Sequence, residues 1–458
     1  MNPPIVQPIK SIDELASFCK RAGFVFPSFE IYGGMAGFFD YGPRGVELKN
    51  NFKAAWWKSV VQDREDVVGI DAVTVNHPKV WEASGHVASF TDPLVDCKNC
   101  KSRFRADTLA KDVLNVDVAG MPLDEVTTLL RNKNVRCAKC KGELTEARKY
   151  NLMFKTHVGP IESDENVAYL RPETAQLIYL NFKLVQDSAR LKLPFGIAQI
   201  GRAYRNEIAP RDFLFRVREF EQMEMQYFIK PGENKKFFEQ WKEERLRWYL
   251  NLGIKKENLR FRPHKQSELA HYAKAAADIE YKFPWGWGEI EGIHDRGDWD
   301  LTQHSKHSGK DLSYFNEETK NRFVPNIIEV SAGVDRTFLA FMCDAYTTEA
   351  ERIVLKLHPK LAPIKAAVFP LLKKEEKITK LAREVYKMLK EKFPTHYEDS
   401  GNIGKSYRRM DELGTPACIT VDFDSIKGKD VTVRERDSMK QKRVKIKDLI
   451  VYLSKLLA

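Results

Sequence analysis

The chain has 458 residues, 43% of them apolar and 30% charged, with a formal net charge of +11 and a pI of about 9.1. That length and apolar content suggest about two or three domains rather than one. The positive surplus suits a nucleic-acid partner, although an ordinary basic surface would read the same way. No apolar run approaches the ~18–20 residues of a membrane-spanning helix. The N-terminus lacks a basic leader followed by an apolar core. Seven cysteines do not make a secreted disulfide framework, so a reducing, cytoplasmic setting is expected.

Ser11 with Glu14 three residues on is a capping-box pattern and predicts a helix through "DELASFCKRAGF". A Gly-rich turn leads into "YGPRGVELKNNFKAAWWKSVVQ", a long helix beginning near Pro43 or Arg44. "DAVTVNHPKVW" reads as a strand with Pro78 at an edge or bend, and "SGHVASFTDP" as loop. From Val95 to Ala147 four cysteines bracket a helical stretch, which marks an insertion with its own small core. "RPETAQLIYLNFKLVQDSARL" places Pro172 at a helix start. Residues from Lys230 to about Tyr281 read as charged helix. Strands resume at "GWGEIEGI" and "PNIIEVSAGV", the second running into the helix "DRTFLAFMCDAY". Pro359 and Pro363 mark a boundary, beyond which strands and helices alternate as in a small α/β domain.

The segment "GRAYRNEIAPRDFLFRVREFEQMEMQYFI" carries charges of both signs between two strand patterns. An antiparallel hairpin of Phe195–Asn206 with Phe215–Phe228 would put Phe220, Gln222, Glu224 and Gln226 on one face. Glu219, Glu221, Met223 and Met225 would take the other. Arg and Glu in mid-sheet are costly unless something charged lies on them. A ligand with a phosphate, an ammonium and a flat base would satisfy the arginine forks, the carboxylates and Phe220 together. Cys97-x-x-Cys100 and Cys137-x-x-Cys140 are paired knuckles suited to structural Zn²⁺, a reduced metal-free module being the alternative. Cys19, Cys343 and Cys418 read as core residues. His77, His86, His294, His304 and His307 show no ligand spacing and read as polar loop residues.

"RNE", a loop and "RVREF" resemble motif 2 of the class II aminoacyl-tRNA synthetases, Arg-x-Glu then Arg-x-x-x-Phe. "EVSAGVDRTFLAF" resembles their motif 3, and "VELKNNFKAAWW" with the strand through Pro78 resembles motif 1. "YGGMAGFFDYGPRGVELKNN", "RPETAQ", "FRVREFEQME" and "GKSYRRMDELGTPACITVDF" look like glycyl-tRNA synthetases of the dimeric, single-chain type, over nearly the whole chain. Val330 departs from the pattern, standing where such proteins often carry Pro.

The resemblance implies an α+β class: an antiparallel sheet flanked by helices, a cysteine-rich insertion and a C-terminal α/β anticodon-binding domain. The catalytic domain would span 1–95, with motif 1, and 148–361, with motifs 2 and 3 and a helical insertion at about 230–281. The cysteine-rich insertion would be 96–147 and the anticodon domain 362–458. The implied reaction joins glycine to ATP as glycyl-adenylate and then passes glycine to tRNA(Gly). Arg205 would hold the α-phosphate, Arg216 the γ-phosphate, Glu207 the adenine amino group, and Phe220 and Arg336 the two faces of the base. Asn206, Phe215, Glu289, Ile290 and Gly333 would complete the ATP site, with Arg205, Glu207 and Arg336 the catalytic set. Glycine has no side chain to grip, so its charged ends would be held by Arg105, Glu173, Glu221, Gln222, Glu224, Glu329 and Ser331. Glu289 and Glu329 would hold Mg²⁺, and the four knuckle cysteines Zn²⁺. Arg408, Arg409, Arg434 and Arg436 would read the anticodon, and motif 1 implies a homodimer. The alternative is a non-catalytic, nucleic-acid-binding accessory subunit of the same fold. Such a chain would be expected to lose the ATP-contacting residues, all of which are present.

Overall fold

The computed structural model describes residues 7–118, 120–269, 273–349, 352–400 and 402–458. A seven-stranded sheet runs in the order Leu259–Pro263, Ala275–Phe283, Gly286–Gly297, Asn326–Gly333, Glu219–Ile229, Phe195–Tyr204, Val67–Gly69. Every neighbour is antiparallel except Val67–Gly69, which runs parallel to Phe195–Tyr204. The hairpin pairs Phe195 with Phe228 and Tyr204 with Glu219.

Period-two alternation gives this sheet two unlike faces. Met223, Met225, Tyr227, Ile328, Val330 and Ala332 pack under the helices Pro43–Trp57, Asn234–Asn251 and Val334–Ala345, against Phe52, Trp56, Trp241 and Phe338. Fully burying each such side chain is worth about 1.5–3 kcal/mol. The other face grades along its strands. Phe195, Phe228 and Ile327 join Ile178, Phe182 and Leu301 in a second apolar cluster. Gln226 and Glu329, then Glu224 and Ser331, then Gln222 and Gly333 follow in register. Phe220 ends the stripe at an open cleft.

Several elements differ from the sequence expectation. Among the described residues of 230–281 one α-helix, Asn234–Asn251, is followed by two strands that widen the sheet. The alternation of "AAADIEYKF" is masked by its Asp278 and Glu280, both buried. The strand after the motif 1 helix is Val67–Gly69, and Pro78 instead opens the helix Pro78–Ala83, as its fixed φ favours. "SGHVASFTDP" contains the helix His86–Ser89 and the start of a strand. Arg171, Pro172 and Glu173 precede a helix that begins at Ala175.

The cysteine segment folds around Val95, Leu109, Val126 and Leu130 as a three-stranded sheet with two helices. The C-terminal region is a five-stranded sheet, Thr395–Tyr397, Ala366–Pro370, Ala417–Val421, Asp430–Glu435, Gln441–Lys445. It has its own core but lends Phe369, Met410 and Cys418 to the main one. Cys19, Cys343 and Cys418 are buried as expected. No helix among the described residues is long and apolar enough to cross a membrane.

Candidate active site

The cleft at the end of the polar stripe is lined by Arg205, Glu207, Phe215, Arg216, Phe220 and Arg336, with Gln222, Glu289, Ser331 and Gly333. Its arginines are anchored by backbone carbonyls and carboxylates of the cleft wall. The Arg205 Nε donates to the Pro172 carbonyl at 3.0 Å, and the guanidinium lies 5.3 Å from the centres of the Phe90 and Phe220 rings. The Arg336 Nε donates to the Phe215 carbonyl at 3.1 Å and its Nη1 to Glu289 Oε2 at 3.0 Å. Its guanidinium sits 4.3 Å from the Phe215 ring centre. Arg216 Nη1 stands 3.7 Å from Glu207 Oε2, an oxygen that is buried without a hydrogen-bond partner. A buried, unpaired carboxylate oxygen is expensive, and a ligand amino group in the cleft would satisfy it.

A bulge shapes the far wall. Glu280 pairs with Glu289 but Ile279 with Glu291, leaving Ile290 as the extra residue. Glu289 therefore lines the cleft, while Glu291 lies below the sheet against Arg245, 2.6 Å away. Ile290 is in the apolar core, so only its backbone faces a ligand.

Deeper in the stripe is a network of buried polar groups. Glu173 Oε2 is 3.3 Å from His86 Nε2, and its Oε1 accepts from Gln176 at 2.9 Å. Glu329 Oε1 meets His294 Nδ1 at 2.6 Å, and its Oε2 accepts from Arg296 at 2.9 Å and Gln226 at 3.1 Å. Arg296 also binds both oxygens of Asp300, at 2.7 and 2.8 Å. Thr174 donates to Glu224, and Gln222 donates to Ser331 at 3.2 Å. Burial works to raise the Glu173 carboxyl, but His86, Arg296 and Gln176 outweigh it and hold it well below the usual carboxylate range. Burial likewise opposes ionisation of Glu329, yet Arg296 and His294 pull it down to about 2.

The expected glycine ligands divide here. Glu173, Gln222, Glu224, Glu329 and Ser331 gather on one face. Glu221 does not: its side chain lies on the opposite face, paired with Lys49 at 2.5 Å and Lys53 at 3.1 Å of the motif 1 helix. One step along a strand reverses the face. Arg105 is held by Asp107 at 2.6 Å and by Asp92, whose carboxyl feels Glu207 and Arg216. It therefore lies toward the ATP-type cleft rather than the carboxylate network. As an Mg²⁺ pair, Glu289 and Glu329 fit poorly, because both Glu329 oxygens already have donors while Glu289 is half-exposed. His86, His294 and His304 are not loop residues. His294 lies on a strand, and His304 is buried on a helix at 2.8 Å from Gln176. With Thr174, Gln226 and Arg296 they were missed, because a polar residue in a buried network carries no sequence spacing. The one available signal was the stacking of "QMEMQ" opposite "IEVSA", read as facing strands.

Cys97 and Cys140 sulfurs are 3.4 Å apart, Cys100 and Cys137 3.6 Å, and all four lie within 4.8 Å of one another. Tetrahedral Zn–S bonds of ~2.3 Å imply S···S edges of about 3.8 Å, so the set fits zinc. Hydrogen bonding with Ser102, side chain and backbone, brings the Cys100 thiol down to about 6.

Two of the four anticodon candidates fall away. Arg434 forks onto buried Asp411 at 2.9 and 3.0 Å. Arg436 binds Asp437 at 2.7 and 2.8 Å and the Gly414 carbonyl at 2.9 Å, and is 3% exposed. Both guanidinium groups are spent inside the domain. Arg408 and Arg409 are exposed on the helix Ile403–Glu412.

Comparison with known proteins agrees with this geometry. Residues 154–345 match a family model described as tRNA synthetase class II core domain (G, H, P, S and T), and 365–456 one described as anticodon binding domain. A glycine–tRNA ligase of Clostridium acetobutylicum is 52% identical over 456 residues, 97% of this chain and 98% of that protein. Those of Caldanaerobacter subterraneus and Geobacillus thermodenitrificans are 50% identical over 457 residues and 51% over 459, again covering 98% of each. A prolyl-tRNA synthetase from Cryptosporidium parvum, solved with L-proline and AMP, superposes with a TM-score of 0.64 at 16% identity, over 97% of this chain and 75% of that one, which shows the fold. Sheet, cleft and sequence kinship lead to one assignment: the chain belongs to the glycine–tRNA ligase family of class II aminoacyl-tRNA synthetases.

Proposed function

We propose that the cleft binds ATP and the buried network binds glycine, so that the glycine carboxylate meets the α-phosphorus where the two join. Attack expels pyrophosphate and leaves glycyl-adenylate. The terminal ribose hydroxyl of tRNA(Gly) then attacks the adenylate carbonyl and releases AMP. Neither step needs a protein nucleophile, only positioning and offset of growing charge. Arg205 and Arg216 take phosphate oxygens, Glu207 the adenine amino group, and Phe220 and Arg336 the base, with Asn206, Phe215, Gly333 and the Ile290 backbone around it. Mg²⁺, which neutralises phosphate oxygens, would be held by Glu289. Glu173, Glu224 and Glu329 surround the glycine ammonium, with Gln222 and Ser331 beside it. Arg105 belongs with the phosphates.

The observation that carries this reading is the buried, unpartnered Glu207 oxygen beside Arg216, with Phe220 at the cleft. Its test is titration of the folded protein with a non-hydrolysable ATP analogue. Phe220→Ala and Glu207→Ala should each weaken binding by about 1–3 kcal/mol. Unchanged affinity in both would remove the adenine site from this cleft.

The same proposal includes one structural Zn²⁺ on Cys97, Cys100, Cys137 and Cys140, a homodimer through motif 1, and a cytoplasmic setting. The divisions at 96–147 and 362–458 separate a cysteine module and an anticodon domain from the catalytic body. Anticodon contact falls to Arg408 and Arg409 and to exposed Phe423, at the carboxyl end of the parallel strands, where a base can stack.

A further inference from the structure

The proposed glycine pocket is out of charge balance, and the imbalance rests on one residue. Four carboxyl groups crowd it: Glu173, Glu224, Glu329 and Asp300. Arg296 takes both oxygens of Asp300 and one of Glu329, His294 takes the other Glu329 oxygen, and His86 faces Glu173. Glu224 is 1% exposed and receives only neutral donors, the Thr174 hydroxyl and the Gln226 amide at 2.8 Å.

No charged donor reaches Glu224 directly among the described residues. Its own strand offers Gln222 and Gln226. The strand Phe195–Tyr204 sets Gln199 opposite it, and Asn326–Gly333 sets Ser331 opposite it with Glu329 nearby. Glu173 and Tyr179 approach from the segment over the sheet, and Tyr179 gives its hydroxyl proton to Gln226 rather than to Glu224. Arg296 and Arg171 act on Glu224 through space, with no ion pair to it among the described residues. Burial, then Glu329, then Glu173 push the carboxyl well above the ordinary range.

We propose that glycine is the counter-ion Glu224 lacks: the empty pocket holds Glu224 as a neutral carboxylic acid, and the ammonium of glycine displaces its proton to solvent on binding. This rests on the glycine-pocket reading above. The balance is simple. A carboxylic acid plus zwitterionic glycine gives a carboxylate–ammonium pair plus one proton in the buffer, with no electron transfer. Binding is thereby linked to pH. Glycine affinity rises about tenfold per pH unit for as long as Glu224 is protonated in the empty pocket. The free amino acid stays zwitterionic across the neutral range and contributes no slope of its own.

The test is calorimetric titration of the full chain with glycine alone, at about pH 7, in phosphate and in Tris, whose ionisation heats differ. The wild type should show a heat difference equal to that between the buffers times about one released proton. Glu224→Gln should bind glycine more weakly and show no difference. Saturable glycine binding with equal heats in the two buffers overturns the inference while leaving the pocket reading intact. Proton release that persists in Glu224→Gln also overturns it, moving the proton to another group of the pocket. No saturable glycine heat from folded wild type removes the pocket reading and the inference with it. Should Glu224→Gln fail to fold, the wild-type Kd between about pH 6 and 8 decides: a slope near tenfold per unit supports the proposal, and a flat profile overturns it.

Discussion

The arginines of the cleft and those of the C-terminal domain look alike in sequence and behave differently in the fold. Arg205 is pinned by the Pro172 carbonyl and Arg336 by the Phe215 carbonyl and Glu289, and both still line the open cleft. Arg434 and Arg436 have their forks filled by Asp411, Asp437 and a backbone carbonyl. A guanidinium offers five donors in a fixed plane, so where the unused ones point, open cleft or closed interior, decides whether it serves a ligand or the core. The first pair makes a site and the second a brace.

That contrast can be broken by mutation. The largest effect on stability should come from Arg434→Ala, which strips one of two arginines from buried Asp411, leaving Arg352 at 2.6 Å, and should cost about 1.5–3 kcal/mol in denaturant unfolding. Glycine activation per folded molecule should hardly change. A cost below about 1 kcal/mol would return Arg434 to the list of free cations. Arg205→Ala should do the reverse, lowering kcat for glycine activation about 10²–10³-fold with little change in stability. A comparable loss of stability would make Arg205 a brace as well.

A smaller effect separates the two regions by acid. Glu329 is held at about 2, below its ordinary value of ~4.3. A depressed carboxylate stabilises the fold above its unfolded pKa and loses that contribution as pH falls through its folded one. The stability gap between wild type and Glu329→Gln should therefore be full above about pH 4.5 and shrink toward pH 2. A gap that stays constant in acid unfolding would mean that Glu329 is not the charged partner of Arg296. The smallest effect on stability belongs to Arg409→Ala, whose pair with Glu398 leaves Arg409 50% exposed. It should cost about 0–1 kcal/mol while weakening tRNA(Gly) binding, read by filter retention. Unaltered tRNA affinity would remove Arg409 from the anticodon surface.

Sequence reading went furthest where chemistry and spacing coincide. Arg205, Glu207, Arg216, Phe220 and Arg336 converge on one cleft because strand alternation and a hairpin suffice to align them. The four knuckle cysteines meet for a similar reason, two short turns brought together. Glu221 falls on the opposite face because one residue reverses strand parity, and a bulge turns the Ile290 side chain into the core so that only its backbone is left for the cleft. The strands at Leu259 and Ala275 were hidden by charged residues that pair across the sheet, as exposed Arg260 does with buried Glu280 at 2.7 Å. His86, the strand pair His294 and Arg296, and Asp300 come from three separate elements, and only the fold brings them to the same network of carboxylates.

The most direct test of the central claim is amino-acid-dependent ATP–pyrophosphate exchange, without tRNA, across the standard amino acids for wild type and Arg205→Ala. The account predicts exchange with glycine alone and its collapse in the mutant. Exchange by Arg205→Ala at the wild-type rate, or none with glycine from folded wild type, would contradict it.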